Sequence, residues 1–540
     1  MAYFSLHAYD ADVWLREFRG LNQADVMMNP DVRFAGEEKN LETPHGVLQP
    51  QAAMELFAGS FEDRVETLAV LHRRLYTGPG SRNWYVCASG GKIYQKQEGG
   101  GDWQEVELPE GVDAFACNVW SWVTYEYESG GDSVDVLLIS NAQDGMYMII
   151  PPDTQTTWNI LKSSTWGSVK DDTWGETLSA QWTIIAVDTR TNPNDDDEPQ
   201  KKFGVIERYA ERIWGTGVPG NPDSLYYSQT YDPTNWTPDA VIPEDGAGEI
   251  KQPSWDGDEF HALKRFGDQL LAFKKNRIWR VLGVSPGEYT FQEQFGGGTE
   301  YFNTIAVYSE RVFMACKNGL EVYDGMTTSP YAKEQVEQIW KTVNQDALDQ
   351  MCAVVFQNRF YWAFPVGDSA VNNAMLVYDM TESNILYYTD IHIESFLPAD
   401  DRLLATSSSL PGKILTILRD SWTTGKASGA ATKWVTPWMD FGYKRIVKGG
   451  FDLYFLPEVQ NDPVTITISV QTEKKAKTKN YIVQPLTQSE RELGKSHKMK
   501  RLHFGGSGRK FRVIIETAAG VTAPWRIIGG IQMVVETDPD

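Results

Sequence analysis

Apolar and polar positions along this chain follow one phrase that recurs about seven times. A short apolar run meets a small polar turn, and a second apolar run carrying an aromatic follows. The phrase reads RNWYVCASGGKIYQ from Arg82, VLLISNAQDGMYMII from Val136, DQLLAFKKNRIWRVLG from Asp268 and ERVFMACKNGLEVYDG from Glu310. Looser copies are ERYAERIWGTG from Glu207, NRFYWAFPVG…AMLVYDM from Asn358 and DRLLATSSSLPGKILTIL from Asp401. Two apolar runs separated by Gly, Asn or Asp predict a β-hairpin, because those residues tolerate the backbone angles of a tight turn. Anchored near Arg82, Val136, Arg212, Leu270, Arg311, Arg359 and Arg402, the copies lie 54, 76, 58, 41, 48 and 43 residues apart. Four-stranded propeller blades run about 40–50 residues, and longer intervals carry loop insertions. The pattern therefore predicts an all-β chain in which residues 46–434 form a β-propeller of six or seven blades.

From about residue 435 the pattern changes to strict alternation. Val464, Ile466, Ile468 and Val470 fall on one face of VTITISV, and FDLYFL from Phe451, FRVIIE from Phe511 and IQMVVE from Ile531 behave alike. A period of two marks antiparallel strands buried on one face. Residues 435–540 are thus expected to form a C-terminal β-sandwich. Residues 1–45 are polar and mixed, with few strand signals, and read as an extended N-terminal arm that lies on a neighbour. Helical periodicity is scarce. Its best instance is KEQVEQIWKTVNQDALDQM from Lys333, expected as a short helical connection between blades.

Charge sharpens this division. The chain carries a formal −23, yet residues 435–540 hold 16 Lys/Arg against 11 Asp/Glu, +5, which leaves −28 for the remainder. Such asymmetry predicts two regions with different neighbours. The acidic balance argues against a conventional nucleic-acid binder, but suits a wall past which DNA slides. Cys87, Cys117, Cys316 and Cys352 lie far apart without a CxxC pair, as in a protein made in a reducing compartment. No run of 18 apolar residues occurs, so no membrane segment is expected, and the N-terminus lacks the basic and apolar regions of a signal peptide.

Candidate chemistry is sparse. GxSxG, HExxH, P-loop and GxGxxG patterns are absent, and the seven His are scattered, so no catalytic residue, metal ligand or cofactor is assigned. GGDWQEVE near Trp103 departs from the sialidase propeller box in its Ser/Asp order. The acidic run Asp195, Asp196, Asp197 and Glu198 lacks the spacing of a calcium loop and reads as a solvated insertion facing a lumen or a partner. Trp120, Trp122, Trp434 and Trp438 suit either sugar stacking or blade packing, with packing favoured. Two basic loops carry Lys474, Lys475, Lys477, Lys479, Lys495, Lys498 and Lys500, candidates for contact with phosphates or an acidic protein surface.

Four stretches together resemble a known group. They are NLETPHGVLQP from Asn40, ERIWGTGVPGNPDSLYYSQTYDPTNW from Glu211, the KNGLEVYDG hairpin and WMDFGYKRIVKGGFDLYF from Trp438. In layout the chain is similar to propeller-type tail proteins of double-stranded DNA phages, closest to the tail nozzle proteins of short-tailed phages. That resemblance implies a structural, non-enzymatic component of the virion tail, assembled in the host cytoplasm. It also implies a homo-oligomeric ring, usually a hexamer, beside adaptor, portal or fibre proteins, with genome DNA passing through without sequence-specific binding. No active-site residue is carried over. The alternatives are a glycan- or receptor-binding propeller at the tail tip, or a glycosidase-like propeller with converging carboxylates at its mouth.

Overall fold

The computed structural model describes residues 10–24, 31, 33–57, 59–74, 80–129, 132–152, 181–252, 257–294, 296–441 and 448–537. Residues 1–9, 25–30 and 32 of the expected arm and 442–447 of the stretch from Trp438 lie outside them. The chain is all-β. Among the described residues, helices are limited to short segments such as Glu337–Trp340 and the 3-10 turn Gln345–Gln350, where the helical connection was expected.

Seven four-stranded antiparallel sheets occupy the middle of the chain. Six are built from consecutive strands. The first, for example, contains Val65–His72, Asn83–Ser89, Lys92–Gln97 and Gln104–Val106. The sheets that follow begin with Ser121–Ser129, Val205–Tyr209, Phe260–Phe266, Ala306–Tyr308, Cys352–Phe356 and Ile393–Ala399. All seven repeat anchors fall in or at the edge of the second strand of a sheet. The seventh sheet takes its fourth strand, Glu55–Leu56, from the chain before the first sheet, with Leu415 opposite Leu56.

Both faces of these sheets are buried, which explains why their strands read as continuous apolar runs rather than alternating ones. In Arg311–Cys316, Val312 and Met314 pack toward the fourth sheet while Phe313 and Ala315 pack toward the sixth. The same division repeats at every sheet. It closes the series, because Leu68, Tyr85 and Cys87 of the first sheet share a core with Leu397, Leu404 and Ile414 of the seventh.

Nine further strands form a second body of two sheets around one core, and two short pairs, Arg19–Leu21 with Phe34–Ala35 and Leu41–Glu42 with Gln49–Pro50, complete the described strands. One sheet runs in the order Asp10–Leu15, Trp525–Thr537, Lys448–Val459, Lys500–Phe504. The other runs Ala476–Val483, Val464–Thr472, Phe511–Thr517, Thr432–Val435, Glu37–Lys39. Val464, Ile466, Ile468 and Val470 are buried together, as the alternation requires, against Leu453, Phe455, Met533 and Val535 of the opposite sheet.

The N-terminal segment corrects the expectation of an arm reaching a neighbour. Asp10–Leu15 pairs with Trp525–Thr537, Glu37–Lys39 pairs with Thr432–Val435, and Leu15, Phe18, Ala35, Leu41 and Leu48 enter the second core. Polar residues flank these apolar ones because the segment is an edge at both places, with one side open to water. A Cβ on Gly530, at φ +77°, would meet the Leu15 carbonyl at 1.7 Å, so only glycine admits that approach. The boundary between bodies also moves. Leu48 bridges Ile527 and Ala52 bridges Ala427, so residues up to about 52 belong to the second body, and its return begins at the turn Ser421–Thr424 rather than at 435.

Candidate functional site: charged surfaces and a cavity between sheets

The joint between the bodies is polar and buried. The Asn40 N–H donates to the Tyr387 carbonyl at 2.9 Å, and its side-chain amide donates to Thr389 Oγ1 at 3.0 Å and the Ala431 carbonyl at 2.8 Å. Gln49 donates to Asp420 at 2.9 Å. Beside them, Glu42 lies 3.7 Å from Arg359 and accepts from the Tyr388 hydroxyl at 3.2 Å, while Arg359 also pairs with Asp379 at 2.7 Å. Burial pushes the Glu42 carboxyl up to about 7 despite the attraction of Arg359. Glu38 is fully buried, with neither carboxylate oxygen in a hydrogen bond of normal geometry. Burial first, and the nearby Glu42 second, push it well above the ordinary carboxylate range.

The acidic loop lies between the last strand of the second sheet, Thr183–Ala186, and the first of the third. Asp195, Asp196 and Asp197 are exposed, and Asp196 pairs with Arg190 at 3.3 Å. Glu198 plays a different part. It accepts the N–H groups of Thr191 and Asn192 at 2.7 and 2.8 Å and pairs with Lys201 at 3.1 Å. Although partial burial works the other way, these donors bring its carboxyl down to about 2. Thus Glu198 staples its own loop, Asp195 accepts the Asp197 N–H at 3.1 Å, and the three aspartates face solvent. No group of His, Cys, Asp or Glu among the described residues is arranged to hold a metal ion.

The lysines of the second body gather on one open side, between the edge strands Ala476–Val483 and Lys500–Phe504. Lys477 and Lys479 stand opposite Val470 and Ile468, on the core-facing side of their strand. Their stems therefore cover the open end of the core while the ammonium groups reach water, and Lys479 Nζ sits 5.5 Å from the Phe504 ring. Lys474, Lys475 and Lys477 line one cleft of about 300 Å³ with Gly505 and Gly506. Lys495, Lys498 and Lys500 line a neighbouring cleft of about 590 Å³ with Tyr481 and Ile482. Inward-pointing lysines also guard an exposed strand edge against indiscriminate pairing. The sequence placed these residues in two loops, but Lys477 and Lys479 lie in the strand Ala476–Val483 and Lys500 in the strand Lys500–Phe504, and they come near each other because those strands are edges of the two sheets that share one core.

A third feature was not picked out as a site in the sequence. The first strands of the first, second, sixth and seventh sheets line a cavity of about 440 Å³, with Arg64, Glu66, Trp122, Phe302, Asp349 and Glu394 on its walls. Arg64 takes up both oxygens of Glu394, through Nε at 2.8 Å and through Nη2. Trp120 and Trp434 are buried in the two cores, as packing aromatics should be, whereas Trp122 stays half-buried at the cavity. Cys87, Cys316 and Cys352 are free thiols buried within strands. No helix among the described residues is long and apolar enough to cross a membrane. Neither a scan against protein-family models nor a search of curated proteins finds a match for this chain.

Proposed function

We propose that the seven sheets form a seven-bladed β-propeller, that the second body is a β-sandwich, and that the protein is a structural ring component of a phage tail. The carrying observation is the segregation of charge onto two bodies of different build. Exposed lysines converge on one open side of the two-sheet body, while the rest of the chain is strongly acidic. Acidic surface repels phosphates, so DNA slides past it without adhering, and the basic side supplies a contact surface for neighbours. In this reading the ring, usually hexameric in the group the sequence resembles, surrounds the DNA exit channel beside portal, adaptor or fibre proteins. The protein is not an enzyme and needs no cofactor. The test is its copy number and position in the particle. A closed ring on the tail axis is expected; peripheral location, or a copy number that fits no ring, overturns the reading.

The cavity between sheets favours one second reading, a glycan- or receptor-binding propeller. Trp122, Phe302 and Phe396 beside Glu66 and Asn303 offer ring faces and hydrogen-bonding groups of the kind sugars use. Loss of host adsorption in particles carrying Trp122→Ala, with intact tails, would favour it. A glycosidase-like version additionally needs a free carboxylate pair, and Glu394 is already committed to Arg64.

A further inference from the structure

Among the described residues, exposed large apolar side chains gather in two places that the charged surfaces alone do not explain. The first is a rim on the seven-sheet body. Tyr231, Val241, Ile242, Val284 and Met326 are 67, 87, 52, 68 and 76% exposed. All five sit in the loops that join the third and fourth strands of three successive sheets, the third, fourth and fifth. Contacts link these loops from sheet to sheet. The Tyr231 N–H donates to the Glu211 carbonyl at 2.9 Å, and the Tyr209 hydroxyl donates to the carbonyls of Gly283 and Asp268 at 2.7 and 3.0 Å. A Cβ on Gly325 would touch Phe266 at 3.8 Å.

The exposed tips are held rigidly. Asp239 accepts the N–H groups of Val241 and Ile242 at 2.7 and 3.0 Å, and Asp324 accepts those of Met326 and Thr327 at 3.0 and 2.9 Å. The buried Arg212 guanidinium donates to the carbonyls of Ser228 and Gly246, both at 2.7 Å. The three loops contain Asp232, Asp239, Glu244, Asp245, Glu288 and Asp324, and no Lys or Arg. An apolar row of this kind, fixed in place and rimmed by one sign of charge, marks an interaction surface.

The second place is the lysine-bearing side of the two-sheet body. Ile482, Leu493 and Met499 are 55, 74 and 59% exposed there, among Arg491, Lys495, Lys498 and Lys500. This body is joined to the sixth sheet through Asn40 and Glu42, whereas the rim lies on the third to fifth. One patch is apolar and acidic, the other apolar and basic, and they belong to different regions of one chain.

We propose that the acidic rim of one copy docks on the basic edge of a second copy. Apolar tips would enter the cleft beside Ile482 and Leu493, and carboxylates would meet lysines around it. Because the two patches differ, the contact is head-to-tail, and each copy repeats it until a ring closes. The inference rests on the ring reading above and names the surfaces that would build it.

The test uses the full-length protein and measures mass in solution across concentration and salt. Val241→Asp/Val284→Asp removes the rim, and Ile482→Asp/Leu493→Asp removes the edge; all four positions are exposed, and unchanged melting shows that each variant folds. The wild type should associate, each variant alone should remain monomeric, and an equimolar mixture should give 1:1 dimers, because each variant keeps the patch the other lost. The charge variants Glu244→Lys/Asp245→Lys and Lys495→Glu/Lys498→Glu should each weaken association at least about tenfold, and their mixture should restore it. Variants that assemble like the wild type, a mixture that stays monomeric, or a wild type that stays monomeric at every concentration would each overturn this contact. The ring reading would then stand or fall on copy number in the particle alone.

Discussion

The two bodies solve the edge problem of β-sheets in different ways. In the seven-sheet body each sheet is a run of neighbouring strands, and only Glu55–Leu56 is borrowed, at the closure. In the two-sheet body both ends of the chain are woven in: Asp10–Leu15 lies beside Trp525–Thr537, more than five hundred residues away. The first arrangement relies on local pairing, whose closure entropy is small. The second must wait for both chain ends, because distant contacts bring reward only after a long loop has closed. The difference teaches that an irregular, polar terminus can be as structural as a regular repeat.

The most severe way to break the comparison is to remove residues 10–50. Leu15, Phe18, Leu41 and Leu48 would be missing from the second core, and two of its edge strands would be lost. Hydrogen exchange should show the two-sheet body unprotected while the seven-sheet body, which keeps Glu55–Leu56, stays protected. Equal protection in both would mean that the N-terminal strands are decoration.

A smaller but local effect is expected from Arg212→Ala. Its guanidinium is fully buried and serves the carbonyls of Ser228, Glu244, Asp245 and Gly246. Leaving these acceptors unpaired should cost about 3 kcal/mol and loosen residues 228–247, with the second body unaffected. A global melting shift without local exchange in that loop would contradict the assignment.

The joint should give a pH dependence of its own. Glu42, at about 7, and Glu38, raised well above its ordinary value, bind protons more tightly folded than unfolded. The Glu42 contribution is therefore fully present below about pH 4.5 and is lost as pH rises through 7, and that of Glu38 is lost only as pH rises through its own raised value. For Glu42 the shift corresponds to on the order of 3 kcal/mol. Glu42→Gln should flatten the decline between pH 5 and 8 in denaturant titrations, and a slope identical to the wild type would show that the joint relaxes to admit water. Asp188, held at about 2 by the Arg190 guanidinium, acts in the opposite window: its contribution is present above the unfolded value near 4 and is lost as pH falls through 2.

The smallest effect belongs to Asp196→Asn. That carboxylate is fully exposed and its pair with Arg190 is a surface one, so melting should move by less than about half a kcal/mol equivalent. Glu198→Ala should cost more, on the order of 1 kcal/mol, because two loop N–H groups lose their acceptor.

The sequence by itself determined the strands. In Arg311–Cys316 and its counterparts the apolar run, the turn and the second run are adjacent, so their pairing is written within about fifteen residues. The alternation in Val464–Thr472 likewise settled which side chains enter a core. Only the tertiary structure decided what the polar termini do, that Lys474 to Lys500 share one side, that Glu198 is a staple while Asp196 makes only a surface pair with Arg190, and that Val241, Val284 and Met326 form one rim. The reason is physical. Periodicity encodes which face of a strand meets water, whereas these facts depend on which distant segments meet each other, and no local pattern of residues records the partner of a strand edge.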